Sequence, residues 1–365
     1  MKVACNRAAL AEALNVITGV VASRTPKPVL QCVRVSVTED SVLLLGTDLE
    51  VGIRHVVGQV TVSEPGEVLV PADKLAAVVR ESSDELLELA SVEHGCEVKG
   101  GDSRFDIYGQ DPRDFPPVAE MEGEPDLVMQ ADTLEELAAK TLFAAAREST
   151  RYAINGVLWE KRGKRLSLVA TDGRRLAKAV GSAAEASAGD SDVIVPTKAM
   201  SLITRLVDEA DEKVAVKLLP NQILLSTSRA TVSSVLVEGR FPKYEDVIPQ
   251  DNDKKVSVAS EALLSAVRRA ALLTTEESKG VRFSLSPGQV VLSSRAPDQG
   301  EAVITVQVEY SGKELDIGFN PSYLVDALRA IGGEAVSFEL SEANKPGVLR
   351  AGKNLLYVVM PVSLA

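Results

Sequence analysis

The phrase PADKLAAVVRE at 71–81 returns as PTKAMSLITRL at 196–206 and as NPSYLVDALRAI at 320–331. Pro71 and Pro196 stand 125 residues apart, and Pro196 and Asn320 stand 124 apart. Arg80, Arg205 and Arg329 keep the same step. Self-similarity at a fixed interval means one structural unit built several times, which constrains the fold more than any single motif. Here the interval is the size of a domain. Other phrases fall in line with it. Asp48 of GTDLE and Asp172 of ATDGR are 124 residues apart, and Phe115 of DFPPV and Phe241 of RFPKYEDVI are 126 apart.

Each copy opens with a short strand-like phrase and an amphipathic helix. Leu10, Leu14, Ile17 and Val21 form the apolar stripe of the first, and Leu134, Leu137, Thr141 and Leu142 that of the second. Leu263, Val267 and Ala270 face inward on the third. Asp132, with Glu135 three residues on, reads as the N-cap of the second helix, and Ser260 as the cap of the third. Runs with a period of two follow in every copy, among them VLLLGT, RLSLVAT and QVVLSS, and mark strands with one buried face. The expected fold is α+β: three tandem copies of a unit with two helices and about eight strands. Polar, proline-containing segments near EGEPD and PQDND place the boundaries at 1–124, 125–250 and 251–365.

Composition narrows the function. Cys5, Cys32 and Cys96 are an odd set without metal-ligand spacing, which fits a reducing compartment. His55 and His94 lack ligand partners nearby, so no metal or other cofactor is expected. No run approaches the roughly 18 apolar residues of a membrane span, and the N-terminus has no signal-peptide pattern. A cytoplasmic protein with no membrane partner is expected. The net charge of −12 argues against a simple basic nucleic-acid binder, although a basic stripe can sit inside an acidic shell.

VATDGRRLA, residues 169–177, gathers groups that could serve phosphoryl chemistry: Thr171, Asp172, Arg174 and Arg175. Against that stand the absence of a Gly-rich phosphate loop, a G-x-S-x-G elbow or a metal cluster in the sequence. An aspartate in a turn has a plainer role, accepting bonds from nearby backbone N–H groups. The echo of the Thr-Asp pair in the first copy makes the turn part of the unit's architecture. An enzyme is not expected. A repeat scaffold that binds only proteins is the alternative reading.

The phrases GTDLE, SRF, INGVLWE, VATDGRRLA, VIVP, LVEGRFPKYEDV, KGVRF, YSGKELDIGFNPSY and YVVMP, in this order and spacing, resemble the bacterial sliding-clamp family, the β subunits of DNA polymerase III. The resemblance spans the whole chain. It implies a head-to-tail homodimeric ring of six domains with helices lining the pore. Duplex DNA would thread through that pore without sequence readout, and the ring would tether the polymerase. It further implies short-peptide docking of the polymerase III alpha subunit, the clamp loader and repair proteins.

The resemblance also assigns residues. A partner-peptide pocket would combine Ile154, Thr171, Gly173, Arg174, Arg175 and Leu176 with Pro242, Val247, Val358, Met360, Pro361 and Val362. Arg24, Arg80, Arg147, Tyr152, Lys198, Arg205 and Arg329 would face DNA, with Arg7, Lys140, Arg268 and Arg269 as further basic residues on the helices. Lys74, Val78, Phe105 and Ile107 of the first copy would meet Leu272, Leu273, Glu301 and the acidic Glu276 and Glu277 of the third across the dimer interface. The chain departs from enteric members at Arg174, a histidine there, and at Ala153, where a second tyrosine would follow Tyr152.

Overall fold

The computed structural model describes residues 1–22, 24–147, 153–206, 212–274 and 280–363. Among the described residues there are six α-helices: α1 (Arg7–Thr18), α2 (Ala72–Glu81), α3 (Ala131–Ala139), α4 (Thr197–Leu206), α5 (Ser260–Ala271) and α6 (Pro321–Ile331). Two belong to each copy of the repeat. The repeated runs form strands as their alternation requires, for example Val42–Thr47, Arg165–Thr171 and Gln289–Ala296.

The strands make four antiparallel sheets of five, nine, eight and four strands. The five-stranded sheet is drawn from the first copy and the four-stranded sheet from the third. The other two cross copies. In the nine-stranded sheet, Val51–Val57 of the first copy pairs with Ala230–Val235 of the second, with Gly52 opposite Ser233. In the eight-stranded sheet, Arg175–Ser182 of the second pairs with Leu355–Val359 of the third, with Leu176 opposite Val358. Sheet continuation through these strands divides the middle copy. Met1–Glu135, Ala183–Gly189 and Lys198–Leu236 form one compact unit, and Glu136–Ser182, Asp190–Thr197 and Val237–Ala365 form the other.

In the first unit α1 lies beside α2, and Leu10, Leu14 and Ile17 pack with Leu75 and Val79 onto the sheets. Asn6 caps α1, its side chain accepting from the backbone N–H of Ala8 at 3.0 Å and of Ala9 at 3.2 Å. In the second unit α5 lies beside α6, and Phe283, Phe319 and Phe338 meet edge-on or tilted with centroids 5.4–6.1 Å apart.

Two expected caps are not caps. α3 starts at Ala131, so Asp132 lies inside its first turn and accepts from the N–H of Thr133 next to it. Ser260 is the first residue of α5 and is fully buried, and its hydroxyl donates to the carbonyl of Gly332 just after α6. Tertiary demand for that tie overrides the local capping pattern. The second helix also ends early, at Ala139. The buried Thr141 hydroxyl bonds back to the Leu137 carbonyl at 2.8 Å, and a short 3-10 turn follows at Leu142–Ala144.

All three cysteines are free and buried. Burial pushes the Cys5 and Cys96 thiols up to about 12 and Cys32 up to about 11. The thiolate is the reactive form, so these groups are silent at neutral pH. Titration of the native protein with a disulfide reagent at pH 8 should label none of the three within minutes, whereas denaturant should release three equivalents. Rapid labelling of the native chain would contradict this packing.

Candidate functional site

The site grows from one turn. Thr171 ends a buried strand and its hydroxyl donates to the Arg175 carbonyl at 2.6 Å while accepting from the Gly173 N–H at 3.1 Å. One Asp172 carboxylate oxygen accepts from the N–H groups of Arg174 and Arg175 at 2.9 and 3.1 Å. Gly173 takes a φ of +86°, the left-handed region that favours glycine. The first copy repeats this device. Thr47 bonds the Val51 carbonyl at 2.9 Å and the Leu49 N–H at 3.0 Å, and Asp48 caps Glu50 and Val51 at 3.0 and 2.7 Å. There Leu49 occupies the left-handed position, with φ +81°, at a cost of about 1–2 kcal/mol.

The second-copy turn borders a cavity of about 190 Å³. Ile154, Thr171, Gly173, Arg174, Arg175, Leu176, Pro242, Val247, Val358 and Met360 line it, joined by Lys243 and Tyr244. Leu176, Tyr244 and Val358 are buried members of one apolar cluster beneath. Met360 and Val247 remain about half exposed. The edge is fixed by the Met360 N–H, which donates to the Arg174 carbonyl at 2.9 Å. Pro361 and Val362 lie outside the lining. The Val362 N–H continues to the Gly318 carbonyl at 2.8 Å, which carries the chain away from the cavity.

Arg175 does not supply a free charge to the rim. Its side chain is only 11% exposed and pairs with Asp172 at 3.0 Å and Asp326 at 2.7 Å. It also donates to the Phe143 carbonyl at 2.7 Å and stacks 4.6 Å from the Tyr323 ring centre. Burial works against its charged form, but the two carboxylates outweigh burial and raise its pKa. Arg174 and Lys243 are the exposed cations of the lining.

Tyr244 was not evident from the sequence as a wall residue. Its ring is buried, and its hydroxyl donates to Glu160 at 2.7 Å and accepts from Lys178 at 2.5 Å. Burial, then the Glu160 carboxylate, raise the pKa of this hydroxyl above its ordinary value. The alternation of Lys178 and Glu160 along their strands carried the signal, but the meeting of three separated phrases did not show in any one of them.

A second cavity occupies the equivalent place in the first copy. Thr47, Leu49, Glu50 and Gly52, the segment Pro117–Ala119, and Gln222 and Ser233 line it. Its strand from the following copy offers Ser233 where the other cavity has Val358, and a leucine replaces the turn glycine.

The other expected residues are scattered over the helices and edges. Arg80, Arg205 and Arg329 are all exposed and all sit in the last turn of α2, α4 and α6. Arg24, Arg147, Arg268 and Arg269 are exposed too. Lys198 is tied down, its ammonium held by Asp48 and by the Val20 carbonyl at 3.0 Å. Lys140 is corrected as a DNA-facing residue. Its side chain is 10% exposed and paired with Glu136 and Glu334. Tyr152, Glu276 and Glu277 lie outside the described residues.

Phe105 is exposed on Arg104–Tyr108, an edge strand of the five-stranded sheet. Leu272 and Glu301 are exposed near Gly300–Gln307, an edge strand of the four-stranded sheet, and Leu273 is half-buried. Lys74 is exposed, while Val78 packs partly against the core. Ile107 is buried and belongs to the core cluster of the first unit.

Among the described residues no group of His, Cys, Asp and Glu could hold a metal ion, and no helix is long and apolar enough to cross a membrane. Three like units joined through shared sheets, with an apolar cavity at a repeat junction, define a tandem clamp fold. Residues 1–119, 128–243 and 245–363 match the N-terminal, central and C-terminal domains of the DNA polymerase III beta subunit. The chain is 40% identical to the beta sliding clamp of Pseudomonas aeruginosa, covering 98% of each, and 34% identical to that of Escherichia coli K12, covering 100% of each. A P. aeruginosa sliding clamp solved with griselimycin superposes with a TM-score of 0.94 at 39% identity over 100% of both chains. A Bacillus subtilis clamp reaches 0.94 at 25% identity with the same coverage. The chain belongs to the DNA polymerase III beta subunit family, the bacterial sliding clamps.

Replacing Arg175 by Met should lower stability by about 2 kcal/mol, because it leaves two carboxylates and a carbonyl without their donor. Urea unfolding measures this. A loss within about 0.5 kcal/mol, the range of an ordinary surface substitution, would show that the guanidinium does not hold the turn.

Proposed function

We propose that two copies of this chain close head to tail into a ring around duplex DNA. The ring slides along the duplex and holds the replicative polymerase on it, as a processivity factor in the cytoplasm. The clamp domains are 1–124, 125–250 and 251–365. The chain acts by topology and docking, without a covalent step of its own. The observation that carries this reading is the triplet Arg80, Arg205 and Arg329, exposed in the same turn of the second helix of every copy. Lys and Arg attract phosphates without reading sequence, so DNA held by them remains free to slide. The acidic surplus elsewhere disfavours DNA on other surfaces.

Closure is supported by the two edge strands. Arg104–Tyr108 carries exposed Phe105 and Tyr108, and Gly300–Gln307 carries exposed Val303. Three other sheet edges receive isolated bridges, at Leu69–Gln110, Ser257–Glu309 and Gly318–Val362. Unblunted edges with apolar side chains are templates for strand pairing between chains. Loaded protein should stay on nicked circular DNA and leave once the circle is linearised. Phe105→Glu should sediment as a monomer at micromolar concentration and be retained on neither. Equal retention of the wild type on both forms would overturn the ring and favour a scaffold that binds proteins alone.

The cavity beside the Thr171–Leu176 turn is proposed as the dock for short peptides of the polymerase III alpha subunit, the clamp loader and repair proteins. Its walls are apolar, its turn is rigid, and Met360 can adapt its unbranched thioether to differing side chains. Met360→Ala should weaken a polymerase-derived peptide by about ten-fold, as loss of an interface anchor does, without altering sedimentation. Unchanged affinity would remove Met360 from the dock.

A further inference from the structure

The first repeat junction keeps the plan of the second and exchanges its side chains. Its cavity is larger, about 340 Å³ against 190 Å³. Gly52 stands where the second copy has Leu176, and Ser233 stands where it has Val358. A Cβ on Gly52 would come within 2.9 Å of the Ser233 hydroxyl and of a Val118 methyl, so the space depends on that glycine. The segment Pro117–Ala119 forms one wall. Arg54, 124 residues before Lys178, holds this wall in place. It pairs with Glu120 at 2.9 Å and reaches the Val118 carbonyl at 3.4 Å.

The polar groups of this cavity are largely unspent. Ser233 is 4% exposed, and its hydroxyl has only a long 3.5 Å bond to the Gly52 carbonyl. The side chains of Gln222 and Glu50 have no hydrogen bond or ion pair among the described residues. Glu50 is exposed, yet its backbone is fixed. Its N–H donates to Asp48 at 3.0 Å, and its carbonyl accepts from the Val235 N–H at 2.8 Å. Asp48 is already taken by Lys198, which leaves Glu50 as the one ionisable side chain of the lining. Beside it Leu49 is 52% exposed and held at φ +81°, where Gly173 serves in the second copy. Strain of that kind persists mainly where a site uses the side chain it presents.

We propose that the first-junction cavity is a second peptide dock, one that takes a lysine or arginine side chain of a partner protein. Its assignment to peptides rests on the dock reading of the second junction, whereas its charge preference rests on Glu50. The aliphatic stem of the incoming residue lies along Leu49, Pro117 and Val118, and its cationic head meets the Glu50 carboxylate. The Ser233 hydroxyl and the Gln222 side-chain carbonyl are further acceptors for that head. The same carboxylate repels phosphates, so DNA is not the occupant. Each chain then offers two docks of different chemistry, and two partners can occupy one chain together.

The test uses the full-length protein with its second cavity saturated by an unlabelled polymerase-derived peptide. Fluorescein-labelled hexapeptides, identical except for a central Lys, Gln or Glu between valines, are read by anisotropy. At low salt the Lys peptide should bind about three-fold more tightly than the Gln peptide, the scale of one exposed ion pair. The ratio should shrink in 0.5 M salt. Glu50→Gln should bring it to about one, and Glu50→Lys should turn the preference toward the Glu peptide. Thermal midpoints check that both variants are folded. Loss of Lys-peptide binding once the second cavity is filled would overturn the proposal. So would equal affinity for the Lys and Gln peptides, or a ratio that survives Glu50→Gln. Failure of the polymerase-derived peptide to bind, followed with its own label, would overturn the second-junction dock alone, because the Lys-to-Gln ratio is read separately.

Discussion

Antiparallel pairing between copies is the constraint on which the rest depends. Strand Arg175–Ser182 is hydrogen-bonded to Leu355–Val359, and Val51–Val57 to Ala230–Val235. Each pairing joins one copy of the repeat to the next through backbone bonds, whose geometry admits little sliding where one face is buried. The same pairing sets the cavities. It lays the final strand of one copy against the Thr-Asp turn of its predecessor, so that Val358 and Met360 stand beside Leu176 and Gly173. A cavity formed this way exists only when the copies are in register.

Two junctions built by one rule have diverged in chemistry. Both turns have the same threonine and aspartate hydrogen bonds and a left-handed backbone at the same position. Gly173 leaves the mouth open, whereas Leu49 places a side chain there. Arg175 reaches inward to Asp326, whereas Val51 at the matching position cannot. Val358 gives an apolar floor, whereas Ser233 gives a hydroxyl. The chemistry of the second cavity thus comes from a few side chains placed on a turn whose backbone serves the architecture.

The separation of charge follows a similar logic. Basic residues with a local carboxylate, such as Lys140, Lys198 and Arg175, hold the structure together. Arg205, Arg329 and Arg174 are exposed on elements whose positions other contacts fix. Composition makes no such distinction, because a lysine at the end of a helix reads the same whether a glutamate from a distant segment reaches it or not. For Lys140 that distant partner is Glu334.

The sequence alone determined the number of copies, the two helices and the alternating strands of each, and the Thr-Asp turn, because periodicity and local hydrogen bonding are properties of contiguous residues. It also carried most of the cavity lining, through phrases shared with a family. It misplaced the caps at Asp132 and Ser260, where long-range packing outweighs local pattern. Only the tertiary structure decided that the middle copy divides between two sheets. Only it showed that Tyr244 is clamped between Lys178 and Glu160, and that of three adjacent cations one is neutralised and two are free. Those outcomes depend on which residues meet across 66 positions of chain for Lys178 and Tyr244 and 151 for Arg175 and Asp326, a matter of strand register and burial that no local stretch encodes.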